Sequence, residues 1–241
     1  MPSPKVGPPI PPPILARVPK TVIRALDVTN VLKYALAEMN FPTISPIIAL
    51  NSIDSYLDAA KRQQRRIEQT KASPLKTIRS RRHTNWNMFN EIHFYLICWS
   101  RIAKLGRFIA DKTRFKRAGL VLRRYHAELK DRVDCRDHLE HFEERLPGAV
   151  NQVKLLVPND LLNMINDHVT YGGRKVDVGA ESFHLLQAIV AELRTAILFD
   201  AIDILDTNNK DRLSDLLRQA VSVIQIAKIT RAVQNEWNQN K

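Results

Sequence analysis

Apolar positions recur at three- and four-residue intervals along most of this chain, a period that predicts helices rather than strands. Thr21–Asn40 carries Val22, Leu26, Val31, Leu32 and Ala35 at near-helical spacing, and Phe41-Pro42 then breaks the pattern. A second helix is predicted from about Pro46 to Gln69, with Ile47, Leu50, Ile53, Leu57 and Ala60 on one side and KRQQRR (Lys61–Arg66) towards its end. Lys71–Thr84 is basic, contains Pro74 and lacks a period, so it reads as a loop. Asn85–Arg107 has a wide apolar stripe that includes Met88, Ile92, Tyr95, Leu96, Trp99 and Ile102. Asp111–Leu146 is long and highly charged, one helix or two sharing an axis, and Pro147-Gly148 stops it.

Val150–Asp167 reads as a further helical piece interrupted by Pro158. Strand-like alternation follows: Val169 and Tyr171, the Gly172-Gly173 turn, then Val176 and Val178, as in a small hairpin. Gly179 opens a helix to about Asp206, TNNK turns the chain, and Asp211–Trp237 is a last amphipathic helix. The expected fold is all-α, a helical bundle with a small β-hairpin near 168–178. A Pro-rich, extended or disordered segment over residues 1–20 precedes a single helical domain over 21–241.

Charge changes the picture more than composition does. The net charge is +12, but residues before 131 hold 24 Lys and Arg against 8 Asp and Glu, and the remainder 13 against 17. A basic half joined to a mildly acidic one points to a face for polyanions, with nucleic acid the commonest partner and an anionic membrane surface the rival. No stretch has the apolar length of a membrane span; even Leu185–Leu205 is interrupted by Glu192, Arg194, Asp200 and Asp203. MPSPKVGPPIPPPIL does not read as a signal peptide, so the expectation is a cytoplasmic protein whose two cysteines, Cys98 and Cys135, are reduced thiols.

The candidate chemistry lies in Cys135–Leu146, CRDHLEHFEERL. On a helix, Cys135, Leu139, Phe142 and Leu146 fall in a narrow wedge that must face the core. Asp137, His141, Glu144 and Arg145 fall opposite, and Arg136 lies on a flank. Asp137 and His141 are four apart, so a carboxylate there can hold one imidazole nitrogen and raise the basicity of the other. Arg136 adds a planar cation suited to phosphate. Together they form a metal-free set for phosphodiester cleavage. Arg136 and His141 differ by roughly 140° around an ideal helix. Either Arg136 curls round, or the helix starts near Asp134, or the two residues meet from different subunits at a two-fold axis.

At these residues the chain resembles the HEPN superfamily of helical ribonucleases and nucleotide-binding domains. The signature is Arg, four to six residues, then His, with a polar residue directly after the Arg; here it reads Arg136-Asp137-His138-Leu139-Glu140-His141. FEERL after it, the NEIHFYL helix (Asn90–Leu96) before it and YGGRKVDVG are also similar to members, and the resemblance spans about residues 85–205. It implies catalytic Arg136 and His141 with Asp137 in support, a homodimer lining one cleft with two motifs, and RNA cleavage without metal or cofactor. It also implies a toxin or defence element, with an antitoxin or other protein as a further partner.

Each feature has a plainer reading. Arg136, Asp137 and His141 could form a solvated helix face with local ion pairs such as Arg136–Glu140. Arg132 with His138 is a weaker second match, since Val133 follows the Arg. Glu91 and His93 could reach the cleft or simply flank the stripe beside them. Lys61, Arg62, Arg65 and Arg66, with Arg79, Arg81 and Arg82 in the basic loop, are the expected contacts to an RNA backbone. The competing function is a non-catalytic helical module that binds nucleic acid or serves as an adaptor.

Overall fold

The computed structural model describes residues 20–72, 78–140, 149–150, 153–154, 161–165, 167–171 and 174–239, with side chains over 21–22, 25–72, 87–140, 167–170 and 174–225. The Pro-rich segment therefore lies outside the described residues apart from Lys20, and so does the Gly172-Gly173 turn. The chain is mainly α-helical with a small antiparallel sheet, in the order α1 (Lys20–Ala25), α2 (Val28–Glu38), α3 (Ser45–Ala72), α4 (Ile78–Thr113), α5 (Lys116–Arg124), α6 (His126–Glu140), β1 (Ala149–Val150), β2 (Val153–Lys154), β3 (Leu161–Ile165), β4 (His168–Tyr171), β5 (Arg174–Asp177), α7 (Ala180–Asn208) and α8 (Lys210–Gln239). Among the described residues no helix is long and apolar enough to cross a membrane.

Helix boundaries follow local chemistry that the apolar period does not carry. The single helix expected over Thr21–Asn40 is two, because Asp27 turns its carboxylate onto the backbone N–H of Thr29 (2.9 Å) and caps α2. At the other end of α2, Asn40 takes φ 50°, and the N–H groups of Asn40 and Phe41 return to the carbonyls of Ala37 and Leu36. That is the left-handed stop described for helix C-termini, at a residue type that tolerates it. Arg114, φ 57°, does the same after α4, with Phe115 N–H on the Ala110 carbonyl at 3.1 Å. The charged stretch expected as one or two helices from Asp111 therefore begins inside α4 and continues as α5 and α6.

Two expectations fail. Lys71–Thr84 is not a loop throughout, since α4 starts at Ile78. Arginine is a good helix former, and this stretch of the sequence has no apolar period to betray the helix. The described residues of Val150–Asp167 are not helical: β1 pairs with β2, and β3 pairs antiparallel with β4. Pro158 opposes a helix there, and short apolar runs do not distinguish strand from helix by period. The hairpin itself stands as β4–β5, with Val169 opposite Val176 and both buried, and β3 extends it to a sheet of order β3-β4-β5.

The chain divides into two compact units. One comprises residues 1–48, 109–120 and 194–241. Its core includes Leu32, Ala35, Ile109, Phe115, Ile197, Ile202 and Leu213, and α1 packs against α8. Within it Asn209 caps α8 through the N–H of Arg212 (3.1 Å) and is held by Glu38 (2.7 Å), while the Arg212 guanidinium lies 3.6 Å from the centre of the Tyr34 ring. Asp200 on α7 reaches the start of α5 and accepts from the backbone N–H groups of Arg117 (2.9 Å) and Ala118 (3.1 Å).

The other unit comprises residues 49–108 and 121–193. Trp99, Tyr95, Leu50, Ile53, Leu129 and Leu186 are fully buried in it. Gly106 lets α4 come close to its neighbours there: a Cβ at this position would stand 2.9 Å from Leu193 Cδ2 and 3.2 Å from Leu122 Cδ2, both on buried side chains. Gly106→Val is expected to destabilise the protein by about 1–3 kcal/mol despite removing a helical glycine, measured as a drop in urea midpoint.

Candidate functional site

The candidate chemistry falls within the second unit, where α6 turns Leu129, Arg132, Cys135 and Leu139 inward. Cys135 and Leu139 thus occupy the core face that the sequence assigns them; Phe142 and Leu146 lie outside the described residues. His141 does too, because the description of α6 ends at Glu140.

Arg136 sits one position round from Cys135, with its side chain 14% exposed, and two carboxylates take its guanidinium. Asp137 Oδ1 is 2.7 Å from Nη2, and Glu140 Oε2 accepts from Nη1 one helical turn on. The Arg136–Glu140 pair of the plainer reading is therefore present. Asp137, 48% exposed, rests on Arg136 in this arrangement.

Glu140 also connects two helices. Its Oε1 lies 3.8 Å from Nε2 of His93 on α4, so Arg136 and His93 share one carboxylate. Burial lowers the His93 pKa below the usual imidazole value, the Arg136 charge pushes it the same way, and Glu140 opposes both. A histidine shifted in that direction is neutral near neutral pH and able to accept a proton. The Nε atom of Arg136 is buried and has no hydrogen-bond partner among the described residues. Glu91, two positions before His93, serves a different neighbour: its Oε2 lies 3.7 Å from Arg66 Nη1 on α3. Sequence reasoning missed the His93–Glu140–Arg136 chain. The Arg136–Glu140 spacing was legible, but nothing in the pattern says which side of α4 meets α6.

The weaker match is structural. Arg132 is 7% exposed, its guanidinium lies 4.3 Å from the centre of the Trp99 ring, and Nε donates to Ser182 Oγ at 3.3 Å. Nη1 donates to the Glu128 carbonyl at 3.1 Å, and the Tyr95 hydroxyl donates to the same Ser182 oxygen at 3.1 Å. His138 is buried as well. Arg132 is a strut that ties α4, α6 and α7 together, as its spacing from Leu129, Cys135 and Leu139 could have indicated.

Lys61, Arg62, Arg65 and Arg66 are all exposed on the second half of α3. Arg79, Arg81 and Arg82 lie in the first turns of α4, with their side chains outside the description. Burial pushes the thiols of Cys98 and Cys135 up to about 11 and about 12, so neither is a nucleophile at neutral pH. Among the described residues no three of His, Cys, Asp and Glu are grouped to hold a metal ion. Comparison with protein-family models, curated proteins and solved structures finds no match for this chain.

Proposed function

We propose that this protein is a metal-independent endoribonuclease of HEPN type, acting in the cytoplasm as a homodimer, a toxin or defence element held in check by a protein partner. Arg136 would grip and stabilise the crowded phosphate. His141 would take the proton of a ribose 2′-hydroxyl as that oxygen attacks the neighbouring phosphorus; the P–O5′ bond breaks, a 2′,3′-cyclic phosphate forms, and the departing 5′-oxygen takes a proton from water, while Asp137 would orient His141. The exposed cations of α3 would supply sequence-independent affinity that falls with salt. One observation carries the reading: the Arg136 guanidinium is held in place beside a second imidazole, His93, through their common partner Glu140. A positioned planar cation next to a group able to take a proton is what phosphodiester transfer needs. Incubating RNA with the purified protein and excess chelator, and comparing wild type with His141→Ala and Arg136→Ala, tests it.

A second reading, a non-catalytic helical RNA-binding or adaptor protein, draws on the same residues. Arg136 already has two carboxylate partners, which a phosphate would have to displace. That reading expects salt-sensitive binding, no cleavage and indifference to His141.

A further inference from the structure

Phe94 is the one aromatic among the large hydrophobic side chains exposed in the described residues, at 54%. It does not stand in a solvated void of neutral surface. Glu91, Phe94 and Cys98 are three and four apart and so share a side of α4. Glu91 meets Arg66 of α3 at 3.7 Å, and the positive charge of Arg62 reaches the Cys98 thiol. Arg62 and Arg66, one turn apart on α3, therefore bracket the stretch of α4 that displays Phe94. Arg101, two turns further along the same stripe, is exposed, as is Lys104. On its other side the Phe94 ring stacks at 6.1 Å on His93, which leads to Glu140 and Arg136.

We propose that Phe94 is a stacking platform for a base of single-stranded RNA, with Arg62 and Arg66 neutralising the adjoining phosphates. An exposed phenyl flanked by guanidinium groups matches how proteins hold single strands without reading sequence: bases stack on a ring while cations follow the backbone. A duplex, whose bases already stack on each other, gains nothing from the ring. The inference rests on the RNA reading above but needs no catalysis, so it is tested with an oligonucleotide that cannot be cleaved.

The probe is a fluorescein-labelled, 2′-O-methylated single strand of ~10 nucleotides, which lacks the attacking hydroxyl; binding is read by anisotropy over a salt series. Phe94→Ala is expected to weaken binding about 5- to 100-fold, and Phe94→Trp to restore it. Arg66→Ala is expected to weaken binding and lower the salt slope by about one. Circular dichroism checks that each variant is folded. Equal binding by wild type and Phe94→Ala, equal binding of an abasic strand, or a preference for duplex RNA would each overturn the proposal. So would a Phe94→Ala variant that loses self-association in sedimentation while binding RNA normally, since the ring would then belong to a contact between copies. Cleavage that depends on His141 with binding indifferent to Phe94 leaves the nuclease standing and removes the platform. Phe94-dependent binding without any cleavage does the reverse.

Discussion

His141→Ala and Arg136→Ala are each expected to cut RNA cleavage by about 10²–10⁴-fold, the range that a positioned proton carrier or a charge-stabilising donor contributes. The two should differ in their other consequences. The helical period of the sequence puts His141 opposite the apolar wedge, so on the proposed reading its loss should leave the urea midpoint close to wild type. Arg136 is held between Asp137 and Glu140 with its side chain 14% exposed, so alanine there leaves two carboxylates facing each other and lowers stability as well. Arg136→Lys separates charge from shape. It keeps a cation for Glu140 but loses the planar fork, and is expected to recover stability more fully than activity. Cleavage that persists in His141→Ala and Arg136→Ala with chelator present would sink the nuclease reading, and RNA binding lost on Arg62 and Arg66 substitution would then favour the non-catalytic one.

The largest stability effect is expected at Asp200. Its carboxylate accepts from two backbone N–H groups at the start of α5 and pairs with Arg117 Nη1 at 3.1 Å, and Arg117 also reaches Asp203. Asp200→Ala takes the acceptor from those two N–H donors and one of the carboxylates from Arg117, which keeps Asp203, at a cost of about 2–4 kcal/mol. Asp200→Asn should cost much less, because the amide oxygen still accepts. The pH dependence separates the two effects. Burial raises the Asp200 pKa above the usual carboxylate value, against the opposing pulls of the Ala118 N–H and the Arg117 charge. A folded-state pKa above the unfolded one gives stability that is fully present below the unfolded value and lost as pH rises through the folded one. The advantage of wild type over Asp200→Asn should therefore shrink from pH ~3 to ~7, followed by thermal melts. A gap that widens with pH would mean that the Arg117 attraction outweighs the burial penalty.

The helical character of this protein, its hairpin and the inward edge of α6 were all readable from residue order, because a side chain's direction along a helix or strand is fixed by its period alone. That is why Cys135 and Leu139 lie in the core, why Val169 faces Val176, and why the cations of Lys61–Arg66 share the second half of one helix. Boundaries were read less well. The stops at Asn40 and Arg114 and the start at Asp27 depend on individual backbone and side-chain hydrogen bonds, and the helical turn carrying Arg79, Arg81 and Arg82 has no apolar period in its sequence to announce it. The helix expected over Val150–Asp167 gives way to β1, β2 and β3 because a short apolar run fits either geometry until a partner strand is found for it.

By itself the sequence determined which residue types were on hand for chemistry, where the positive charge accumulates and which helix faces are apolar. Only the tertiary structure decided the pairings across helices: His93 with Glu140, Arg66 with Glu91, Arg132 over Trp99, and Asp200 on the first turn of α5. The reason is that a helical period fixes the angle of each side chain about its own axis but says nothing of which neighbour fills that angle; this is set by how whole faces pack, between residues 25 to 83 positions apart along the chain in these four pairs.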